Sequence, residues 1–158
     1  MKNILNKLII FLLIIFLYSC GFKIRDNSRF SEYYILNLET NSNNINFFIK
    51  QDLKRYFNNL NAPNKISVIV ETEQSNKISE KNIKKEVTRY EIIITTKVLV
   101  KFLGSQEQKE IKLTNNGYYD VGSNHSVTMN NKKNIQNILA KKLSLEIANF
   151  ISTLKNDF

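Results

Sequence analysis

Seventeen consecutive residues, Val87 to Leu103, alternate in character with a period of two. The even positions (Tyr90, Ile92, Ile94, Thr96, Val98, Val100, Phe102) are nearly all apolar, whereas the odd ones mix Arg89, Glu91, Thr95, Lys97 and Lys101 with Ile93, Leu99 and Leu103. Such a run specifies a long antiparallel strand with one face against a core and the other half in water. Any fold for this chain must cover the even face. Gly104-Ser105 supplies the turn after it, and Gln108 to Thr114 returns with Ile111 and Leu113 alternating against Lys112. Asn115-Asn116-Gly117 punctuates the return strand, which resumes from Tyr118 to Val121 after a bend.

Upstream, Glu32 to Glu39 reads as a strand with Tyr34, Leu36 and Leu38 on one face, and Ile66, Val68 and Val70 mark another. The polar, lysine-rich stretch from Gln74 to Glu86 reads as a loop or hairpin connection. The covering layer comes from two helical patterns. Ile45 to Leu60, with N-cap candidates Ser42 and Asn44, repeats apolar residues at Ile45, Phe48, Ile49, Leu53, Tyr56, Phe57 and Leu60. A second helix begins near Asn134 and carries Ile135, Ile138, Leu139, Leu143, Ile147, Phe150, Ile151 and Leu154. Two apolar stripes and one apolar sheet face give an α+β fold: a two-layer sandwich, a mixed or antiparallel sheet of about four strands with both amphipathic helices on one face. At 158 residues, one domain of ordinary size accommodates all of it.

The first twenty residues belong to something else. Lys2 and Lys7 precede an unbroken apolar run from Leu8 to Leu17, half the roughly 20 residues needed to cross a bilayer as a helix. This is the pattern of an export signal. It ends at Leu17-Tyr18-Ser19-Cys20, and Cys20 is the only cysteine in the chain. The sequence resembles a bacterial lipobox, whose cysteine is acylated and becomes the new N-terminus. The expected division is a cleaved lipoprotein signal over 1–19, a lipidated N-terminus and tether over 20–31, and a periplasmic domain over 32–158. Gly21 stands where an inner-membrane retention signal would carry Asp, which favours the outer membrane. Removing the signal leaves 21 basic against 14 acidic residues, a charge of about +7, so the domain itself is cationic and calls for an anionic partner.

Catalytic chemistry finds little material. One cysteine and one histidine exclude a disulfide framework and make a conventional metal site improbable. Four glycines leave no phosphate-cradling loop. His125, in the polar run Ser123-Asn124-His125-Ser126, and the carboxylates Glu71 and Glu73, or Glu110 and Asp120, have the character of solvated groups. No enzyme activity and no cofactor are expected. Basic residues are better grouped: Lys77, Lys81, Lys84 and Lys85 precede the long strand, Arg89 lies on it, and Lys132 and Lys133 open the last helix. Such a grouping could hold phosphates, or be a solvated face. Nucleic acid is not the expected partner, because aromatics are not interleaved with these charges.

Cys20-Gly21-Phe22-Lys23-Ile24-Arg25-Asp26 resembles the mature start of the lipopolysaccharide-assembly lipoprotein family, LptE, which often reads Cys-Gly, an aromatic, two further residues and then Arg. The order of strand, helix, several strands including a long one, and C-terminal amphipathic helix is similar to that family over nearly the whole mature chain. The resemblance implies a lipid-anchored outer-membrane protein that plugs and helps to assemble the LptD β-barrel and binds lipopolysaccharide. Lys84, Lys85, Arg89, Lys132 and Lys133 are candidates for its phosphates from local charge density alone, not from matched family positions. A lipid-anchored adaptor domain for another envelope complex would look the same in composition and fold.

Overall fold

A computed structural model describes residues 30–154; the signal, Cys20 and the tether as far as residue 29 lie outside the described residues, while Phe30, expected in the tether, is buried in the core. The elements run β1 (Tyr33–Thr40), α1 (Asn44–Tyr56), β2 (Asn64–Lys81), β3 (Val87–Phe102), β4 (Gln108–Asp120) and α2 (His125–Thr153). The four strands form one sheet in the order β1-β2-β3-β4, with β1 parallel to β2 and the other neighbours antiparallel. It is the α+β sandwich expected from the alternation and the two stripes. Both helices cover the face carrying Ile66, Val68, Val70, Ile92, Ile94, Val98 and Val100, all fully buried. From α2, Leu143, Ile147 and Ile151 complete this core, and from α1, Ile49 and Leu53. No helix among the described residues is long and apolar enough to cross a membrane.

Several elements depart from the sequence reading. In β1 the buried residues are Tyr33, Ile35 and Leu38, whereas Leu36 is 56% exposed. An irregularity in the β1–β2 register between Ile35 and Asn37 shifts the inward set by one residue, so strict alternation misassigns Tyr34 and Leu36. Strand β2 continues through the polar stretch to Lys81, paired with β3 from Ile66–Phe102 to Lys81–Val87. Its last nine residues are exposed on both faces, so they show no apolar alternation; their order comes from hydrogen bonding to β3.

Helix α2 starts at His125 rather than near Asn134, because Asn124 caps it by accepting from the Val127 N–H at 3.0 Å. His125 is exposed in the first turn and Lys132 and Lys133 lie within the helix, not at its opening. The stripe on α2 is buried from Leu139 onward, while Ile138 is 59% exposed. Helix α1 likewise ends at Tyr56, leaving Leu60 in solvent, and its cap is Asn43, which accepts from the Asn46 N–H at 2.8 Å.

Asn115-Asn116-Gly117 does not bend β4; it lies inside the strand, opposite Ile94, Ile93 and Ile92. The residues are there for packing. Buried Asn115 donates to Glu146 Oε2 at 2.7 Å, tying β4 to α2. A Cβ on Gly117 would stand 2.8 Å from Ile135 Cγ2 and 3.4 Å from Leu139 Cδ1, so this glycine lets α2 approach the strand.

Where β1 ends, a side chain replaces it. Asn41 Oδ1 accepts from the Thr72 N–H at 3.0 Å and Asn41 Nδ2 donates to the Thr72 carbonyl at 3.0 Å, as a neighbouring peptide would. Asn43 donates to the same carbonyl at 3.2 Å, and Asn46 Nδ2 donates to the Asn41 carbonyl at 2.9 Å. Beyond Thr72 the sheet is three strands wide. The other end of the molecule is closed by Phe30, packed on Tyr56 and Phe57 with ring centres at 5.2 and 5.6 Å, and by Tyr33, whose hydroxyl donates to the Leu154 carbonyl at 3.0 Å.

Two outcomes are expected. Gly117→Val should lower stability by about 1–3 kcal/mol through overpacking against a β-branched neighbour, read as a drop in Tm or in the urea midpoint; an unchanged midpoint would mean that α2 does not press on β4 there. Burial, with the neighbouring Glu32 charge second, raises the Tyr33 pKa above its ordinary 10.0, and burial likewise raises Tyr119, with Tyr90 second. A raised folded-state pKa contributes stability below the ordinary value that is lost as pH climbs through the folded value. Urea midpoints should therefore fall above about pH 10, and Tyr33→Phe should flatten that fall while losing about 1 kcal/mol at neutral pH with its hydrogen bond.

Candidate functional site

The candidate cations lie on the part of the molecule beyond Thr72, where the sheet is three strands wide. Lys84 and Lys85 sit in the turn between β2 and β3, both exposed. Asn82 organises this turn. Its Oδ1 accepts from the Glu86 N–H at 3.0 Å, its carbonyl accepts from the Lys85 N–H at 2.9 Å, and its Nδ2 donates to Glu86 Oε2 at 2.8 Å. Lys85 has a φ of +64°, a left-handed conformation that favours glycine. The turn thus holds a lysine where glycine would be less strained, at the outermost point of the hairpin.

Arg89 belongs to a different arrangement. Its Nε donates to Asp120 Oδ1 at 2.7 Å and its Nη1 to Glu80 Oε1 at 2.8 Å. The Asp120 hydrogen bond and charge, with Glu80, raise its already high pKa. Its fork is occupied by two carboxylates, and it joins β2, β3 and β4 across the projecting end. This guanidinium is a cross-strand clamp rather than an open phosphate ligand, a distinction that charge density in the sequence does not reveal. Behind it Tyr90 and Tyr119 stack with ring centres 5.4 Å apart, on the face that α2 covers.

Lys132 and Lys133 lie two turns into α2. Asn131 beside them donates to the Asp120 carbonyl at 3.0 Å, which brings this part of α2 to the same end as the Arg89 clamp. No carboxylate pairs with Lys84, Lys85, Lys132 or Lys133 among the described residues. The four lysines therefore share one end of the molecule on two separate elements, the hairpin tip and the helix, and do not form a single pocket.

A groove that the sequence did not disclose opens between the helices. It encloses about 450 Å3 between the first turn of α1 and residues 129–137 of α2, with Phe47, Phe48 and Met129 as apolar walls and Lys133 on its border. It forms because α1 begins where β1 has just ended, while α2 extends further along the sheet, so the covering layer narrows there from two helices to one. The signal available in the sequence was Phe47, which falls off the buried stripe of α1 and stands 58% exposed. On the opposite face of the sheet, Glu71, Lys97, Lys112 and Glu110 alternate in sign, with Lys97 and Glu110 paired at 3.3 Å; this is a solvated charged face.

Breaking the clamp should loosen the projecting end alone. Arg89→Gln is expected to speed hydrogen exchange in residues 80–90 while leaving the global unfolding midpoint nearly unchanged, since the core lies elsewhere. A large loss of global stability would place the clamp in the cooperative core.

No protein-family model and no curated protein matches this chain. Solved structures do. The chain is similar to rare lipoprotein B from Shewanella oneidensis, with a TM-score of 0.56 at 14% identity, over 77% of this chain and 99% of that one. It is also similar to a protein described as a lipoprotein from Caulobacter crescentus CB15, with a TM-score of 0.55 at 9% identity, over 81% of this chain and 93% of the other. At such identities the likeness establishes the fold alone: the β1-α1-β2-β3-β4-α2 sandwich is shared with rare lipoprotein B.

Proposed function

We propose that this chain is an outer-membrane lipoprotein, anchored through Cys20, that plugs and assists the assembly of an LptD-type β-barrel and binds lipopolysaccharide on its way to the outer leaflet. The observation that carries this reading is the fold itself, which coincides with that of lipoproteins over nearly their whole length. It is joined in the sequence by an export signal ending at the chain's only cysteine and by the Cys-Gly-aromatic start. The role is not catalytic: the protein offers a rigid core, an unneutralised set of lysines at one end and a lipid at its N-terminus. Lysine ammonium groups suit phosphates as point charges and need no fixed fork, so Lys84, Lys85, Lys132 and Lys133 remain the phosphate candidates, with Arg89 holding the hairpin beneath them. Two anchoring signals are available, several acyl chains and a cationic surface, enough for stable membrane residence.

The decisive experiment isolates the C-terminally tagged, full-length protein from detergent-solubilised outer membrane and identifies what accompanies it by mass. A large β-barrel in stoichiometric amount is expected; its absence, or another envelope protein in its place, overturns the plug and makes this a lipid-anchored adaptor domain. In the same preparation Cys20→Ala should abolish acyl labelling and leave uncleaved or misplaced protein, and normal labelled mature protein would remove the lipobox. Charge reversal at Lys84 and Lys85 together should weaken lipopolysaccharide binding most at low salt, where phosphate contacts are least screened. Equal binding at low salt would take the hairpin tip out of the ligand surface.

A further inference from the structure

Strand β4 is the last strand of the sheet, and among the described residues no element pairs with its outer side. Open edges invite pairing with another chain, and folds commonly blunt them with bulges or prolines. The other free edges of this sheet are interrupted: β1 between Ile35 and Asn37, and β2 beyond Thr72 by two register shifts between Ile78 and Lys81. Strand β4 is not. It keeps one register with β3 from Lys101–Gln108 to Arg89–Asp120 and holds no proline.

The main-chain groups that face outwards from β4 follow from Asn41. That side chain takes both the N–H and the carbonyl of Thr72 on the β1 side, so Thr72 turns them away from Thr96, its opposite residue on β3. Thr96 then directs its own groups to β4, where Leu113 is opposite and answers it. The alternate residues Gln108, Glu110, Lys112 and Thr114 therefore offer N–H and carbonyl groups to the open side. Donors and acceptors alternating along such a row fit an extended polypeptide rather than a lipid or a sugar.

The side chains identify the polypeptide. On the exposed face Lys112 lies directly opposite Lys97 and has no carboxylate partner among the described residues, whereas Glu110 is held by Lys97 at 3.3 Å. Like charges set opposite one another are unfavourable, and a carboxylate on the free side of Lys112 would offset this. Strand β4 supplies that carboxylate itself. Glu110 and Lys112 flank Ile111, so a second copy running antiparallel about Ile111 sets each Glu110 against the other's Lys112. Both residues face outwards, so these are also pairs that exchange main-chain hydrogen bonds. Half-buried Ile111 then meets its counterpart on the helix side of the sheet. Centring the pairing on Lys112 would oppose two lysines, and centring it on Leu113 or Thr114 would leave Lys112 against Thr114 or Asn116.

From this we infer that two copies of this chain associate through β4 in a two-fold antiparallel seam centred on Ile111, with Glu110 of each facing Lys112 of the other, joining their two four-stranded sheets into one. Gln108 lies at the pole of Phe30, because it is opposite Lys101 where β3 ends beside the start of β2. The axis is therefore near that pole in both copies and the hairpin tips point outwards, so two copies tethered from that pole can meet within one membrane. The seam is short beside the roughly 800 Å2 per partner of a stable interface. The association is accordingly weak and reversible, and confinement to a membrane strengthens it. It goes beyond the proposed function and does not rest on it.

The test uses the full-length lipoprotein in detergent, by sedimentation over a range of concentrations and by oxidative crosslinking. Wild type should pass reversibly from monomer to dimer. Ile111→Cys should form a disulfide between copies, because directly opposite residues outside the hydrogen-bonded pairs stand about 4.5 Å apart at Cα. Thr114→Cys should not, because the seam sets it against Gln108 of the second copy; wild type, whose sole cysteine is Cys20, is the control. Glu110→Lys and Lys112→Glu should each weaken dimerisation about tenfold by replacing two attractions with two repulsions. The double exchange should restore it, with circular dichroism unchanged throughout.

A monomer at every concentration overturns the inference. So does dimerisation that neither charge reversal weakens, or a Thr114→Cys disulfide as strong as that of Ile111→Cys, which would put the contact elsewhere or in another register. Crosslinking of Ile111→Cys to a co-purified protein in place of its own copy would assign the edge to that protein and exclude the second copy.

Discussion

The β2–β3 ladder is the interaction on which the rest of this fold depends. Its pairs run from Ile66–Phe102 to Lys81–Val87, and the inward members of its first half, Ile66, Val68, Val70, Val98 and Val100, are fully buried. Backbone pairing fixes the register, and register fixes which side chains point to the helices, because a slip of one residue would turn every inward valine and isoleucine outward. Each remaining element attaches to that face or that ladder. Strand β1 adds in parallel at one edge, β4 returns at the other, and α1 and α2 close the apolar side. The ladder also outlasts its cover. Past Thr72 and Thr96, whose hydroxyls meet at 3.3 Å inside the sheet, it continues with β4 and the first half of α2 but without β1 or α1.

That division explains what the sequence made legible. Alternation and helical stripes report burial, so the well-covered half was read correctly: β3 from its even positions, the start of β2 from Ile66, Val68 and Val70, and the C-terminal half of α2 from Leu139 to Ile151. Elements that are ordered without being buried leave no such trace. Glu73 to Lys81 is a strand only because β3 pairs with it, and His125 to Ile138 is a helix whose apolar residues stay largely in water. The Asn115-Asn116-Gly117 run shows the opposite ambiguity. The residues that usually make a turn here supply a buried amide for Glu146 and a gap for Ile135, and only the approach of α2 distinguishes the two uses.

Charge was legible as density and not as function. Lys84, Lys85, Arg89, Lys132 and Lys133 look equivalent along the chain, yet Arg89 is fastened to Glu80 and Asp120 while the four lysines are unpaired. The difference lies in cross-strand register, which brings Asp120 opposite Arg89 and Glu80 beside it from positions thirty-one and nine residues away. The helix groove was hidden for a related reason. It depends on where α1 begins relative to α2, set by the Asn41 amide that ends the β1–β2 pairing at Thr72.

The direction in which the strands run also has a bearing on how the proposed lipid anchor would place the protein. Phe30, the start of β1 and the end of α2 lie together, and β2 leaves that neighbourhood at Asn64 to reach Lys81. At about 3.3 Å per residue this is a span of roughly 55 Å. Phe30, the first described residue, therefore stands at one pole, and the unpaired lysines of the hairpin tip, Lys84 and Lys85, at the other. Under the anchoring proposed above, a molecule standing upright would carry those cations away from the leaflet that holds it and towards whatever occupies the space in front of it; only by lying flat along its own length would it bring both poles to the same surface.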